Sequence, residues 1–359
     1  MTWNDAVFLL PEIILALGAS VLLLAPVVGA RRGQAGARTA MLVVLAVTAA
    51  TLIACSWAVE RIDQTGPFAS MFALDRFAIF FKLLFIGAMA MITLLSDDFL
   101  RSSRYPAWEY YSLLAFALCG MMFMVSGVHL ITIYVGLELM SLSSYILAGY
   151  FKNEQKSTEA AMKYFVLGAV SSAILLYGIS LIYGVCGSLN LIAIDRSMQT
   201  LITNDALMFG ILLMAAGLCF KIAAVPFHVW TPDVYEGAPT PITAFLSTAS
   251  KAAAIAIFAR IFYVALPHFQ FDWSNVLATV AALSMIVGNV AALTQDNVKR
   301  MLAYSSIAHA GYVLLGIISM NALGIRAVLV YSLVYIVANL GIWAVVLMMQ
   351  RHEYAGERV

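Results

Sequence analysis

The sequence predicts an all-α, polytopic membrane helix bundle of about eleven spans. Hydrophobic residues make up 63% of its 359 positions and charged residues only 11%, against about 25% charged in a soluble domain. Apolar stretches near the roughly 20 residues that a crossing helix needs recur from end to end, and mean hydropathy is +0.93. No stretch alternates apolar and polar residues as a β-barrel wall does. Backbone groups in lipid must be paired internally, so helices follow.

The spans fall near 6–29, 39–59, 75–96, 108–126, 129–150, 159–185, 207–230, 239–267, 274–294, 300–318 and 322–350. The first is read as a helix rather than a cleaved leader: it lacks a basic start, carries Asp5 and Glu12, and is long enough to cross. Only Ser126-Gly127, with His129 just beyond, divides the fourth from the fifth. The seventh contains Pro226, and Pro232, Pro239 and Pro241 follow. Proline removes a helical hydrogen bond and clashes with the preceding turn, so a break near Pro226 and a re-entrant link to the eighth span are expected. A simple proline kink is the alternative.

Loop cations set the orientation. One side collects Arg31, Arg32, Arg38, Arg101, Arg104, Lys152, Lys156, Lys299, Arg300, Arg351 and Arg358; the other has Arg61, Arg76, Arg196 and Arg326, offset by Glu60, Asp63, Asp75, Asp195, Asp205 and Asp272. This bias puts the N-terminus outside and the C-terminal tail inside. The four cysteines lie far apart in apolar stretches without any CxxC, which leaves iron–sulfur, zinc and haem attachment unsupported. A net charge of +1 without a basic patch gives no sign of nucleic acid. No Gly-rich phosphate loop marks a nicotinamide or flavin site.

Three charges sit where water is absent. Glu138 lies about eight residues, or roughly 12 Å, from either end of its span, and Lys221 and Lys251 are similarly deep. An ion near the bilayer centre costs about 2.5–3.5 kcal/mol even on a lenient scale. A lysine facing a carboxylate stays protonated and becomes able to release its proton when that carboxylate is drawn elsewhere. A static buried salt bridge is the competing reading for Glu138 and Lys221; Lys251 has no acid nearby in sequence. Lys163, His228 and His309 are candidate proton-path residues, with snorkelling or hydrogen bonding as alternatives. Lys82 and Arg260 are weaker candidates. Ser141, Ser143, Ser144, Ser171 and Ser172 serve to hold water or, more simply, to pack helices closely.

Three segments carry a family resemblance: YVGLELMSLSSYIL, FKIAAVPFHVWTPDVYEGAPTPITAFLSTASKAA and QDNVKRMLAYSSIAHAGY, together with the opening LLPEIILALG. They resemble the antiporter-like membrane subunits of respiratory complex I, the proton-pumping NADH–quinone oxidoreductase, along essentially the whole chain. The middle motifs are most similar to its N-type subunits; L and M types usually place tryptophan where Leu137 stands here. The resemblance implies proton translocation with no redox centre in this chain, and FMN, iron–sulfur clusters and quinone in partner subunits. It implies a Glu138–Lys221 pair, Lys251 at the centre of a hydrophilic axis, and a broken seventh helix.

The resemblance further implies two inverted five-helix repeats, dividing the chain into an N-terminal three-helix segment 1–107, a first repeat 108–267 and a second repeat from 268–359. Relatives continue for about three more helices and carry a further lysine there, so the second repeat is expected to be incomplete and the chain a fragment. The implied partners are the other complex I membrane subunits, the peripheral redox arm indirectly, and the bilayer of a bacterial inner membrane, with the N-terminus periplasmic and the tail cytoplasmic. A subunit of a multisubunit cation/proton antiporter, and a non-conducting assembly scaffold, are the other functions weighed.

Overall fold

A computed structural model describes residues 3–28, 34–59, 70–103, 105–199 and 204–356. Arg31, Arg32, Glu60, Arg61, Asp63, Arg104 and Arg358, used above for orientation, lie outside the described residues. The elements are α1 (Trp3–Leu24), α2 (Gln34–Val59), α3 (Arg76–Ser103), α4 (Ala107–Ser126), α5 (Leu130–Ala148), α6 (Gln155–Cys186) and a short α7 (Leu191–Met198). There follow α8 (Asp205–Ile222), α9 (Trp230–Gly237), α10 (Thr240–Phe245), α11 (Lys251–Ala265), α12 (Gln270–Leu293), α13 (Val298–Ile318) and α14 (Ala322–Gly356). Among the described residues ten helical stretches are long and apolar enough to cross a membrane, and α1 contributes a shorter apolar stretch, Leu9–Leu24. Each expected span has its helix, and the fold class is all-α.

Two boundaries differ from the sequence reading for identifiable reasons. The third helix continues past residue 96 because the charge of Asp97 is paired in place: its Oδ2 accepts from Arg38 of α2 and, at 2.8 Å, from Arg101 one turn on. The linker after the sixth span contains α7, whose start Asn190 caps by accepting from the Ile192 and Ala193 amides at 3.0 and 3.1 Å. Leu191, Ile194 and Met198 form its buried face.

At the end of the bundle that carries α7, backbone bonds join three connections. Ala73 N–H donates to Ser126 O at 2.8 Å, Val128 N–H to Met71 O at 3.0 Å, Leu130 N–H to Leu189 O at 2.8 Å, and Leu191 N–H to Val128 O at 2.9 Å. The loop entering α3, the Ser126-Gly127 turn and the start of α7 are thus one hydrogen-bonded strap. Arg260, near that end of α11, reaches Asp75 at 2.7 Å and lies 5.0 Å over the Phe77 ring.

Helix pairs approach closely where glycines meet. A Cβ on Gly136 would stand 2.8 Å from both Gly120 O and Met124 N across the α4–α5 contact. A Cβ on Gly178 would stand 2.6 Å from Met214 N, against Gly210, across the α6–α8 contact. Such small-residue contacts drive helix association where lipid offers no hydrophobic contrast. The eighth span, Thr240–Ala265, is enclosed on every side, and its helices touch α3, α4, α5, α8, α13 and α14. It is apolar all round, as a helix at the centre of a bundle is. Five residues of it, Leu246–Ser250, form a π turn directly before Lys251.

The N-terminal helices hold a buried ion pair that the sequence reading did not assemble: Lys82 Nζ of α3 lies 2.5 Å from Glu12 Oε1 of α1, both side chains wholly enclosed. Its members are 70 residues apart, and each alone looked like an isolated charge.

Two outcomes follow from this packing. Gly136→Leu is expected to force α4 from α5 and lower stability by about 1–3 kcal/mol, the usual scale of overpacking, read as a lower unfolding temperature in detergent. Glu12→Gln strands the Lys82 ammonium and is expected to cost about 3–5 kcal/mol, whereas the double change Glu12→Leu with Lys82→Leu should recover most of it. Equal unfolding temperatures for Glu12→Gln and the parent would show that the pair is dispensable.

A candidate proton-carrying site in the bundle interior

Residues 138–141 of α5 lie beside both deep lysines. Glu138, half-buried, accepts a short hydrogen bond from Ser172 of α6, whose hydroxyl is also 3.0 Å from Tyr134 OH. Three residues on, Ser141 Oγ accepts from Lys221 Nζ at 2.6 Å, and one turn further Tyr145 OH accepts from it at 3.3 Å. The intervening Met140 meets Ser250 Oγ at 3.6 Å, next to Lys251. Residues 140–145 of α5 thus contact Lys221 directly and the residue that precedes Lys251. Glu138 and Lys221 are not in contact: among the described residues neither forms an ion pair within 4.0 Å, and Ser141 stands in the direct pair's place. The spacing 138, 141, 145 puts all three on one face of α5.

Lys221 ends α8 inside an aromatic box. Its ammonium is 5.3 Å from the Tyr145 ring centre, 5.8 Å from Tyr164 and 5.9 Å from Phe220, and ring faces attract a desolvated cation. The expected helix break is present, but it starts at Ala223 rather than Pro226. Ala223 takes the left-handed conformation (φ 60°) as the C-cap of α8, and its N–H donates to Phe220 O at 3.0 Å. Caps of this kind are usually glycine, so the alanine gave no signal. Pro226, with a cis bond to Val225, lies inside the resulting turn. The freed backbone is satisfied locally: Val225 N–H donates to Ser284 Oγ of α12 at 2.8 Å, and Trp230 Nε1–H to Phe220 O at 3.1 Å. His228 is half-buried within this turn.

Lys251 follows the π turn and is only 1% exposed. It donates to Ser306 O at 2.8 Å and Ser306 Oγ at 2.9 Å on α13, with no carboxylate of the described residues within ion-pair range. Beside it is a small cavity of about 10 Å³ whose lining includes Lys251, His309, Tyr331 and Tyr335 together with the apolar Ala252, Ile255, Ala310 and Val313. His309 Nδ1 makes a short hydrogen bond with Tyr331 OH, and the Tyr335 hydroxyl is enclosed nearby. Ser247 in the π turn accepts from Trp343 Nε1 of α14 at 2.7 Å.

Lys163 stands apart from these groups. Because α6 begins at Gln155, it lies more than two turns in, yet its side chain is 43% exposed. It bonds Glu159 at 2.8 Å and Asp233 of α9 at 2.7 Å. Asp233 also receives Arg300 at 2.8 Å, and Glu236 receives Arg300 and Lys156, each at 3.1 Å. Burial pushes the Asp233 and Glu236 carboxyls up, but the hydrogen bonds from these cations outweigh it and hold both below the usual carboxylate range. Sequence reasoning missed this cluster, since nothing in the local sequence marks Asp233 and Glu236 as one. It also missed Ser172, Tyr145, Tyr164 and Trp230 as neighbours of the charges. Among the described residues no three His, Cys, Asp or Glu side chains gather as metal ligands would.

Residues 127–357 match the family described as "NADH:quinone oxidoreductase/Mrp antiporter, TM". The chain is 44% identical over 344 residues to NADH-quinone oxidoreductase subunit N of Parvibaculum lavamentivorans, covering 96% of this chain and 70% of that one. It is 49% identical over 286 residues to the subunit of the same name from Trichlorobacter lovleyi, covering 79% of this chain and 58% of that one. Among solved structures it is similar to a chain of respiratory complex I from Thermus thermophilus with bound aureothin: 36% identity, TM-score 0.77, 94% of this chain and 70% of that one. The Mrp complex of Dietzia shares the fold alone, at 23% identity and TM-score 0.79 over 96% of this chain and 64% of that one. The chain spans 58% to 72% of the length of the curated relatives it matches. By its motifs, its broken seventh span and these likenesses, this chain belongs to the NADH:quinone oxidoreductase/Mrp antiporter transmembrane family.

Proposed function

We propose that this chain is a proton-translocating membrane subunit of an NADH–quinone oxidoreductase, with Glu138, Lys221 and Lys251 as its proton-handling groups. The supporting observation is that Glu138, Lys221 and Lys251 are met by hydroxyls, a carbonyl and ring faces rather than by fixed counter-ions. Lys221 is held by Ser141 and Tyr145 with Glu138 close but not touching. Its proton is retained while Glu138 is ionised and yielded when that negative charge is neutralised or withdrawn. Lys251, bound to neutral acceptors on Ser306, has no carboxylate to lock it, so it is suited to accept and pass a proton. His309 and the cavity beside Lys251 extend the path. Lys163 and His228 line its entrance in this reading, and Pro226 marks the turn that opens it.

The chain itself supplies no redox group; FMN, iron–sulfur clusters and quinone belong to partner subunits, and the coupling reaches Glu138 through neighbouring membrane subunits. The 44–49% identity to N-type subunits favours this reading over a cation/proton antiporter, whose fold it shares. In a bacterial inner membrane the end bearing Lys152, Lys156, Lys299 and Arg300 faces the cytoplasm with the C-terminal tail, and the N-terminus is periplasmic. The repeats run from 108–267 and from 268–359, with 1–107 as an accessory three-helix segment.

The test is proton pumping in vesicles carrying the assembled complex. Lys221→Ala is expected to slow proton delivery through this subunit about a hundredfold, the lower scale for losing one positioned proton carrier, at unchanged flavin content. Lys221→Arg keeps the charge, but a guanidinium holds its proton throughout the accessible pH range, so it should block as alanine does. Full pumping by Lys221→Arg would instead identify Lys221 as a static charge.

A further inference from the structure

The short helix α9 touches the surroundings of both buried lysines. At its start, the Trp230 indole N–H donates to Phe220 O at 3.1 Å, the carbonyl of the residue before Lys221. The same indole stacks on Tyr164, with centroids 4.5 Å apart and planes at 11°, and Tyr164 forms part of the box around the Lys221 ammonium. Trp230 therefore holds the backbone that carries Lys221 and one wall of its box at once.

The other half of α9 is fastened to α13. Arg300 Nη1 donates to both Asp233 and Glu236, at 2.8 and 3.1 Å, and Lys299 Nζ donates to Glu236 O at 2.9 Å and Ala238 O at 2.7 Å. These last are carbonyls at the α9 C-terminus, where a cation is favoured. Lys163 and Lys156 of α6 hold the same two carboxylates from the opposite side. Ser306, which binds Lys251, is six residues beyond Arg300 on α13, or about 9 Å along the helix.

We infer that α9 is a rigid link between the two lysines, with Arg300 and Trp230 as positioning residues that transmit displacement of α13 to Lys221. The inference rests on the proposed proton-carrying role of Lys221. Partly exposed ion pairs contribute little stability individually; their use here is geometric. Arg300 Nη1 bridges two carboxylates about one turn apart on α9, while Nε of the same planar group reaches Gln295 at 3.3 Å, so the guanidinium ties the angle of α9 to the start of α13. Three residues before Asp233, that angle sets where the indole meets Phe220 O. A shift of α13 that moves Ser306 away from Lys251 also moves Arg300, and with it the cap and the aromatic wall at Lys221.

The experiment measures protons moved per NADH oxidised in vesicles carrying the assembled complex, with flavin content and subunit stoichiometry checked for each variant. Trp230→Phe keeps a stacking ring and removes the N–H donor; Arg300→Gln removes the cation bridging the two carboxylates; Arg300→Lys keeps the charge. Both Trp230→Phe and Arg300→Gln are expected to lower the ratio about fivefold, the low end of coupling between sites, with Arg300→Lys restoring part of it. The double variant Trp230→Phe with Arg300→Gln should be no worse than the weaker single, because both act through one link. An unchanged ratio in Trp230→Phe, or a double loss equal to the product of the singles, overturns the inference. Lys221→Ala in the same series separates the two readings. If its ratio falls while Trp230→Phe is unchanged, only the link is refuted; if its own ratio is unchanged, the proton-carrying role falls and the link with it.

Discussion

An ammonium enclosed by apolar helices has to be solvated by the protein, and this requirement organises the bundle. Hydrocarbon supplies no hydrogen-bond acceptor, and removing water from an ion costs several kcal/mol. Lys221 receives a serine hydroxyl, a tyrosine hydroxyl and ring faces. Lys251 receives the hydroxyl and carbonyl of Ser306. Neither is clamped to a carboxylate, in contrast to Lys82, which is locked to Glu12, and Arg260, which is locked to Asp75. Cations thus have two kinds of surroundings here. One with a fixed acid staples helices, and an amine with neutral acceptors is, in the proposed function, the one that exchanges its proton.

Irregular backbone appears where these amines need it. The α8 helix ends within two residues of Lys221, and a π turn ends immediately before Lys251. Both features interrupt the regular hydrogen-bond ladder, as π turns at functional sites often do, and the broken span is tolerated because its groups find partners. Val225 is satisfied by Ser284 and Phe220 by Trp230. The turn in the seventh span is thereby held by α12 from one side and by α9 from the other.

Much of this was legible in the sequence because lipid makes the rules strict. Every span could be placed from apolar length, and Glu138, Lys221 and Lys251 stood out as charges without water. What stayed hidden depended on distance or on backbone. Glu12 and Lys82 are 70 residues apart, and they meet only because α1 and α3 both pack on α2 and α4. The break was placed at Pro226 because proline announces itself, whereas Ala223 does not. The π turn has no compositional mark. In α9 nothing in the local sequence marks Asp233 and Glu236 as a cluster, because their three cationic partners, Lys156, Lys163 and Arg300, come from helices on either side.

The eighth span, enclosed on every side, bears on how such a protein is made. Synthesis delivers Thr240–Ala265 to the bilayer before Ser306 on α13 or Trp343 on α14 exists to receive Lys251 and Ser247. A segment with a naked central amine is a poor resident of lipid, so it must wait at the insertion machinery or against α3, α4 and α5 until the later helices arrive. Biogenesis of this bundle is therefore a closing of outer helices around a centre already laid down. Ribosomal order and the order of burial are different sequences of events.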